Sequence, residues 1–282
     1  MNRLNFDLPF LPKGYGRSIP IIIEETVTSF IKEKRFYISI VYYVLLPIIL
    51  VLGGSGSALI QTGTGIAIYY AQLNTSFFIK SLFLTFFPGQ IFLVILSSDQ
   101  IAGEVESDTL SLVLSRPTYH SEIIIGKYLG LLTILAILQI PSLSFIYYFN
   151  LIRYGAAFPF AFWSSLDEFI AMLIIILLIQ SMILALALLI SSTFDRSLYA
   201  ILSSILGLFV LSSLSDTFAS DPSSVNYMSL PYYVDSILPS IFFNLEPLEK
   251  GPNVLSMMMV ILVVVAVFQI CSVLILRRKE LY

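Results

Sequence analysis

Long runs without a charged residue divide the chain, and they locate the predicted helices. The charge-free intervals are 36–79, 81–98, 128–152, 169–194, 197–215 and 251–276. A helix that crosses the hydrocarbon core of a bilayer needs about 20 apolar residues, so each interval can supply one. The runs are continuous rather than alternating, which favours helices over strands, and a helix satisfies its own backbone hydrogen bonds in lipid. The pattern predicts an all-α, polytopic membrane protein.

We predict six transmembrane helices in a domain that covers residues 36–276. Their approximate bounds are 36–54, 77–97, 126–149, 168–191, 197–215 and 254–276. The first charge-free interval is long enough for two spans, but its second half is rich in Gly, Ser and Thr. We therefore assign that half to a loop on the outer side of the membrane.

The composition indicates that the surface of the protein meets lipid. Hydrophobic residues make up 57% of the chain and charged residues only 12%, whereas soluble globular proteins carry about 25% charged residues. A chain with so few charges cannot cover its surface with them. The net charge of −3 argues against nucleic acid as a partner. The one cysteine, Cys271, excludes an internal disulfide and a multi-cysteine metal site.

The distribution of lysine and arginine predicts the orientation in the membrane. All of these residues except Lys80, Arg153 and Lys250 lie in or beside the N-terminal tail, the 98–125 loop, the 192–196 loop and the C-terminal tail. With an even number of spans these four segments share one side, and positive residues stay on the cytoplasmic side. We therefore expect a multi-pass protein of the cell membrane with both termini in the cytoplasm.

The N-terminal cytoplasmic tail, residues 1–35, contains a predicted amphipathic helix over 18–35. The apolar face consists of Ile19, Ile23, Val27, Phe30 and Ile31. The polar face consists of Glu24, Glu25, Thr28 and Lys32. A helix of this kind lies in the membrane interface and would bend into the first span. The alternative is a regulatory or partner-binding helix.

The cytoplasmic segment 98–125 has the most structured pattern between the spans. Ser107 and Asp108 are good N-cap residues for a short helix over Thr109–Leu114. Arg116-Pro117 would end that helix, because the residue before a proline avoids the helical region. The apolar residues of the short helix are Leu110, Leu112, Val113 and Leu114. We interpret this surface as a docking site for a cytosolic partner, and the alternative is a local fold packed against the protein's own helices.

The start of the third span combines a capping residue with small residues. Glu122 falls in the first turn of this helix, where a negative charge suits the helix dipole. Gly126 and Gly130 form a G-x-x-x-G motif, and this spacing predicts a close contact with another helix.

The outer loop 216–253 and the cytoplasmic tail 277–282 complete the predicted topology. The outer loop contains short apolar pieces around Pro231 and Pro239, which are too short to span a membrane. They would form interfacial or re-entrant helices covered by protein. They would either cap the bundle or gate an outer exit.

The chain contains no recognisable catalytic or nucleotide-binding motif. The single histidine, His120, lies at the cytoplasmic edge, and the interior of the spans carries no acidic residue that could relay protons. Gly126-Lys127-Tyr128 lacks the serine or threonine that follows the lysine of a phosphate-binding loop. We therefore expect that this chain is not an enzyme and that energy for transport arrives through a cytoplasmic contact.

Residues 104–130 resemble the signature of ABC-2 type transporter permeases. That signature has an acidic residue, Gly-Thr-Leu, a few apolar residues, Ser-Arg-Pro, a polar stretch, Glu-Ile and Gly-Lys. The matching positions are Glu106, Thr109, Leu110, Ser115, Arg116, Pro117, Glu122, Ile123, Gly126 and Lys127. Asp108 stands where glycine is usual. The layout of the whole chain is also similar to that of the family.

The resemblance implies the permease subunit of an ABC transporter, and because exporters dominate the family it implies an exporter. It implies a dimer with a second permease copy or paralogue and a separate ABC ATPase subunit that receives Thr109–Leu114 as a coupling helix. The residues implied at this ATPase-coupling interface are Glu104, Glu106, Thr109, Leu110, Leu112, Leu114, Arg116 and Pro117. No cofactor is expected in this chain, because ATP and Mg would be bound by the partner ATPase.

Two other functions stay open on the sequence. A polytopic membrane enzyme would need buried polar clusters, and the spans offer mainly Ser, Thr, Tyr and the glutamines Gln139, Gln180 and Gln269. A passive channel or scaffold would show no ATPase activity that a substrate stimulates.

Overall fold

The described part of the chain consists of helices and the turns between them, and contains no strand. A computed structural model describes residues 16, 18–45, 90–109, 119–153, 166–218 and 254–279. The helices are α1 (Ile19–Lys32), α2 (Lys34–Ile40, continued by a π-helical turn at Val41–Leu45), α3 (90–106), α4 (His120–Arg153), α5 (Leu166–Thr193), α6 (Ser197–Phe218) and α7 (Val254–Lys279). The all-α prediction is confirmed for these residues.

Three of these helices contain segments that are long and apolar enough to cross a membrane. The segments are His120–Phe145, Leu173–Thr193 and Met258–Lys279. Phe36–Leu45 and Ser197–Val210 form shorter apolar helices within the described residues. The second half of the first predicted span, the start of the second and most of the outer loop 216–253 lie outside the described residues. Membrane helices are thus confirmed, and their number of six stays a prediction.

Helix α5 is the centre of the bundle and packs against α4, α6 and α7. Every residue from 179 to 188 is buried, on all sides of the helix. A helix that is apolar all round belongs in the core, because it has no polar face to present to water. This stretch of α5 therefore forms the part of the core that α4, α6 and α7 share.

Helix α1 packs closely on α4 at the G-x-x-x-G motif. A Cβ atom built on Gly126 would lie 2.7 Å from Cγ2 of Ile22, and one built on Gly130 would lie 2.8 Å from Cβ of Thr26. The buried Thr26 hydroxyl donates to the carbonyl of Ile22 at 2.7 Å, so it carries no unsatisfied donor into the contact. The close helix contact that the two glycines predict is found here, with α1 as the partner.

The face of α1 that meets α4 overlaps most of the apolar face read from the sequence. Phe30 is buried, Ile19, Ile23 and Val27 are partly buried, and Ile31 is 44% exposed. The buried face also includes Thr26, which lies against Gly130 of α4. Pairing with α4 therefore sets which side of α1 is buried.

The chain bends at Glu33, between α1 and α2. Glu33 has extended backbone angles (φ −80°, ψ 149°), and its N–H still donates to the carbonyl of Phe30 at 3.1 Å. The rings of Phe30 and Phe36 meet edge to face across the bend, with centroids 6.0 Å apart. Phe30 also lines a small apolar cavity, together with Tyr43, Leu93, Leu96, Leu131, Ile134, Leu135, Leu138 and Leu184. The first five helices thus share one apolar core.

Candidate coupling interface

One end of the bundle collects most of the described charged side chains, and we call it the polar end. It comprises residues 99–109, 119–127, 193–197 and 277–279. Helices α3, α5 and α7 end there, and α4 and α6 begin there. Hydrogen bonds and ion pairs connect these termini to one another, as described below. The described parts of the 98–125 loop, the 192–196 loop and the C-terminal tail therefore lie together at one end of the molecule, and the N-terminal tail before residue 16 lies outside the described residues.

The ATPase-coupling residues predicted from the sequence divide into two groups. Glu104 lies within α3, and Glu106 and Thr109 are exposed at its end. The other predicted residues, Leu110, Leu112, Leu114, Arg116 and Pro117, lie outside the described residues, as does the rest of the predicted helix Thr109–Leu114. The described residues therefore show the base of the predicted cytoplasmic segment 98–125, which we call the coupling segment.

Helix α3 continues past the predicted end of the second span and stops in a Schellman motif. The N–H of Thr109 donates to the carbonyl of Glu104 at 3.0 Å, and the N–H of Asp108 donates to Val105 at 3.1 Å. Asp108 has φ 56°, in the left-handed region. This is the C′ position of the motif, which glycine usually occupies, and aspartate is among the few other residues that enter this region readily.

Ser107 and Asp108 lie in the turn that ends α3, and the helix for which the sequence suggested them as N-caps lies outside the described residues. The Ser107 hydroxyl donates back to the carbonyl of Gly103 at 2.8 Å and lies 2.9 Å from the hydroxyl of Thr109. Serine can bond to the preceding helical turn as well as to a following one. In this chain it bonds to the preceding turn, because α3 extends up to it.

A buried ion pair connects α3 to α4. The Lys127 ammonium on α4 pairs with the Glu104 carboxylate and donates to the carbonyl of Gln100 at 2.5 Å. The Lys127 side chain is 5% exposed and that of Glu104 is 33% exposed. Glu25 of α1 and Asp99 of α3 add further negative charge near the ammonium. Because an unpaired buried charge is costly, this pair fixes the separation of the two helices that lead into and out of the coupling segment.

Two carboxylates of α3 bind the first residue of α6. The N–H of Ser197 donates to Oε2 of Glu106 at 2.9 Å, and the Ser197 hydroxyl donates to Oδ1 of Asp99. The first N–H groups of a helix have no partner within the helix, and the helix dipole favours a negative charge there. Glu106 and Asp99 therefore cap α6 from a neighbouring helix.

A buried serine attaches α3 to the end of α5. The N–H groups of Ile101 and Ala102 donate to Oγ of Ser191 at 3.1 and 3.0 Å. Ser191 is fully buried, as are Ser97 and Ser98 of α3, whose hydroxyls each donate to a carbonyl in their own helix at 2.7 Å. Ser191 was not predicted from the sequence, because a serine near the end of a span has no distinguishing pattern.

Glu122 caps the N-terminus of α4, as its position in the first turn predicted. Its Oε2 accepts a bond from the N–H of Tyr119 at 3.3 Å, and its Oε1 accepts one from the N–H of Gly16. The side chain is 1% exposed. Glu122 therefore also holds the residues that precede α1 against the start of α4.

The C-terminal end of α7 joins the polar end through its last charged residue. The Lys279 ammonium donates to the carbonyl of Phe194 at 3.0 Å and pairs with Asp195 at 2.7 Å. A lysine in the last turn of a helix also suits the helix dipole. The short turn between α5 and α6 thus receives contacts from α3 and from α7.

Comparison with known proteins agrees with the resemblance seen in the signature. The family described as ABC-2 family transporter protein matches residues 21–281, which is almost the whole chain. A search of curated proteins found no match. The matched region contains all the described helices from α2 to α7, the polar end and the coupling segment. This chain belongs to the ABC-2 family of transporter proteins and is a membrane component of an ABC transporter.

Proposed function

We propose that this chain is the permease subunit of an ABC exporter, powered by a separate ATPase that docks on the 98–125 segment. The chain would cross the cell membrane six times, with both termini in the cytoplasm, and would pair with a second permease copy or paralogue. The family match supports an ATPase partner in general. The remaining details are our inference from the polar end and from the charge distribution.

The buried tie between Lys127 and Glu104 is the observation that carries the docking proposal. A partner that moves a membrane bundle must act on a segment with a stiff base, because a loose loop would absorb the movement. Helices α3 and α4 supply that base, and their separation is held by the ion pair and by the Lys127 bond to Gln100. The segment between them, which carries Leu110 and Leu112, would then receive the partner.

The direction of energy flow follows from the same arrangement. In the proposed complex ATP and Mg are bound by the ATPase subunit, and hydrolysis there changes the position of the coupling segment. The base passes this change to α3 and α4 as a rigid movement, since α3 is also fixed to α5 through Ser191. The core that α1 to α5 share is apolar, which favours a transport path beside this chain, between two permeases, over one through it.

Co-purification tests the docking site directly. The chain is expressed with its ATPase, extracted in mild detergent and isolated through a tag on the chain alone. Leu110→Asp and Leu112→Asp should release the ATPase, because a charge in the apolar contact is desolvated without a partner. Ile31→Asp is the matched control, since Ile31 is an exposed apolar residue of α1. Retention of the ATPase by the double variant Leu110→Asp/Leu112→Asp would show that it docks elsewhere.

Turnover separates the proposal from a passive channel or a membrane enzyme. Reconstituted with its ATPase, the chain should give ATP hydrolysis that increases with a transported substrate and stops when the ATPase nucleotide site is blocked. Transport by the isolated chain, with no ATPase present, would contradict the proposal. Export is tested by accumulation of substrate in inverted vesicles supplied with ATP from outside.

A further inference from the structure

The contact between α3 and α6 is formed by groups that a transport mechanism could use. Glu106 and Asp99 lie about two helical turns apart on α3, so both can face the start of α6. Both bind Ser197, one through its backbone N–H and the other through its hydroxyl. One residue of α6 is thus held at two points by the helix that leads into the coupling segment.

Glu106 occupies the position where a movement of the coupling segment would enter the bundle. It directly precedes Ser107 and Asp108, which form the end of α3. Glu104, one turn from the end, is tied to α4, whereas Glu106 is tied to α6. The two glutamates therefore connect the base of the segment to two different helices.

Helix α6 is better placed to move than the helix that precedes it. Its outward face is apolar and exposed, with Leu198, Leu202, Leu206 and Phe209 between 57% and 67% exposed. Helix α5 is buried on all sides between 179 and 188. Gly207 of α6 faces the flexible end of Ile190 on α5, so this contact can adjust by a small shift. Packing therefore resists a displacement of α6 less than a displacement of α5.

We propose that Asp99 and Glu106 are positioning residues that carry the movement of the ATPase-docking segment into α6 through Ser197. The inference rests on the proposed function, because it requires a partner that moves the segment. It assigns α6 as the first helix beyond α3 and α4 to respond to the ATPase. Lys279 holds the adjacent turn through Phe194 and Asp195, so the connection between α5 and α6 is also tied to α7.

Substrate-stimulated ATP hydrolysis by the reconstituted complex tests this link. The variants are Asp99→Asn, Glu106→Gln and Ser197→Ala, compared at equal amounts of bound ATPase. The stimulated rate should fall about tenfold in Asp99→Asn, which corresponds to about 1.4 kcal/mol. The basal rate and the amount of bound ATPase should stay at wild-type values in Asp99→Asn and Ser197→Ala, because neither residue is among those predicted to contact the ATPase.

Conservative and matched variants distinguish a lost connection between α3 and α6 from a general loss of stability. Ser197→Thr keeps the hydroxyl and should restore stimulation, whereas the double variant Asp99→Asn/Ser197→Ala should be no worse than either single variant. Thr193→Ala is the control for a lost hydroxyl at the same end, since Thr193 donates to Ile190 within its own helix. Glu24→Gln is the control for a lost exposed carboxylate.

The outcomes distinguish this inference from the proposed function. If the wild-type chain binds its ATPase and all three variants show normal substrate-stimulated ATP hydrolysis, the inference is wrong and the proposed function still stands. Loss of the ATPase from Asp99→Asn or Ser197→Ala would also overturn it, because the residues would then belong to the docking surface. Failure of the wild-type chain to bind any ATPase would overturn the proposed function, and the inference with it.

Discussion

Replacing Gly126 by alanine should destabilise the protein, although alanine favours helices. In a helix without a close neighbour, Gly→Ala stabilises by about 1 kcal/mol. At Gly126 the added methyl would lie 2.7 Å from Cγ2 and 2.8 Å from Cβ of Ile22, and the latter atom is held directly by the backbone of α1. Helix α1 would have to move away, and overpacking of this kind costs about 1–3 kcal/mol. The net effect is a loss of up to about 2 kcal/mol.

The thermal midpoint of the purified chain in one detergent measures this loss. Gly207→Ala is the matched control, because the atom nearest to the added methyl is the mobile end of Ile190, at 3.1 Å. We expect Gly126→Ala to lower the midpoint and Gly207→Ala to keep or raise it. In a double variant, Ile22→Ala should recover part of the loss. An equal rise in the midpoint for Gly126→Ala and Gly207→Ala would refute the packing of α1 on α4.

Three further predictions concern the polar end and the core. Glu104→Ala should lower the unfolding midpoint, because the buried Lys127 ammonium loses its ion-pair partner and keeps the Gln100 carbonyl; an unchanged midpoint for Glu104→Ala would contradict this. Asp108→Gly should raise the midpoint, because glycine removes the cost of about 1 kcal/mol that a side chain adds in the left-handed region, and Asp108→Val should lower it; the opposite order would show that α3 ends differently. Gln180 is 1% exposed and its Oε1 has no hydrogen-bond partner among the described residues, so Gln180→Leu should stabilise the chain by about 1–3 kcal/mol in the same assay, and a lower midpoint would reveal a partner for the amide.

The positions of the later helices could be predicted because charged and polar residues interrupt the apolar runs. Arg196 precedes the start of α6 at Ser197, and α7 begins at Val254, both as the charge-free intervals indicate. The end of α3 could not be predicted in the same way. We placed the end of the second span at 97, yet α3 continues to 106, because a helix that leaves the membrane need not stop when polar residues begin. Its polar residues have partners on α4 and α6.

The contacts of the polar end could not be read from the chain because they join distant residues. Glu104 is not among the positions that match the family signature, and no spacing in the sequence indicates that it pairs with Lys127. Ser191 and Ser197 could not be identified for the same reason, because each forms hydrogen bonds with a helix other than its own. Periodicity predicts which face of a helix is apolar, but pairing between helices decides which polar groups meet.

Lys127 has two separate roles, one in the orientation of the chain and one in the packing of its helices. It is one of the basic residues that predict the cytoplasmic side, and in the structure it is buried against Glu104 and Gln100. The two roles make different demands, because orientation depends on the sum of many charges and packing depends on this one. Lys127→Met leaves the basic residues of both tails in place, so it should keep the orientation of the chain. Any defect of that variant would therefore arise from the lost tie between α3 and α4, and labelling of the C-terminal tail from the cytoplasmic side would confirm that the topology is intact.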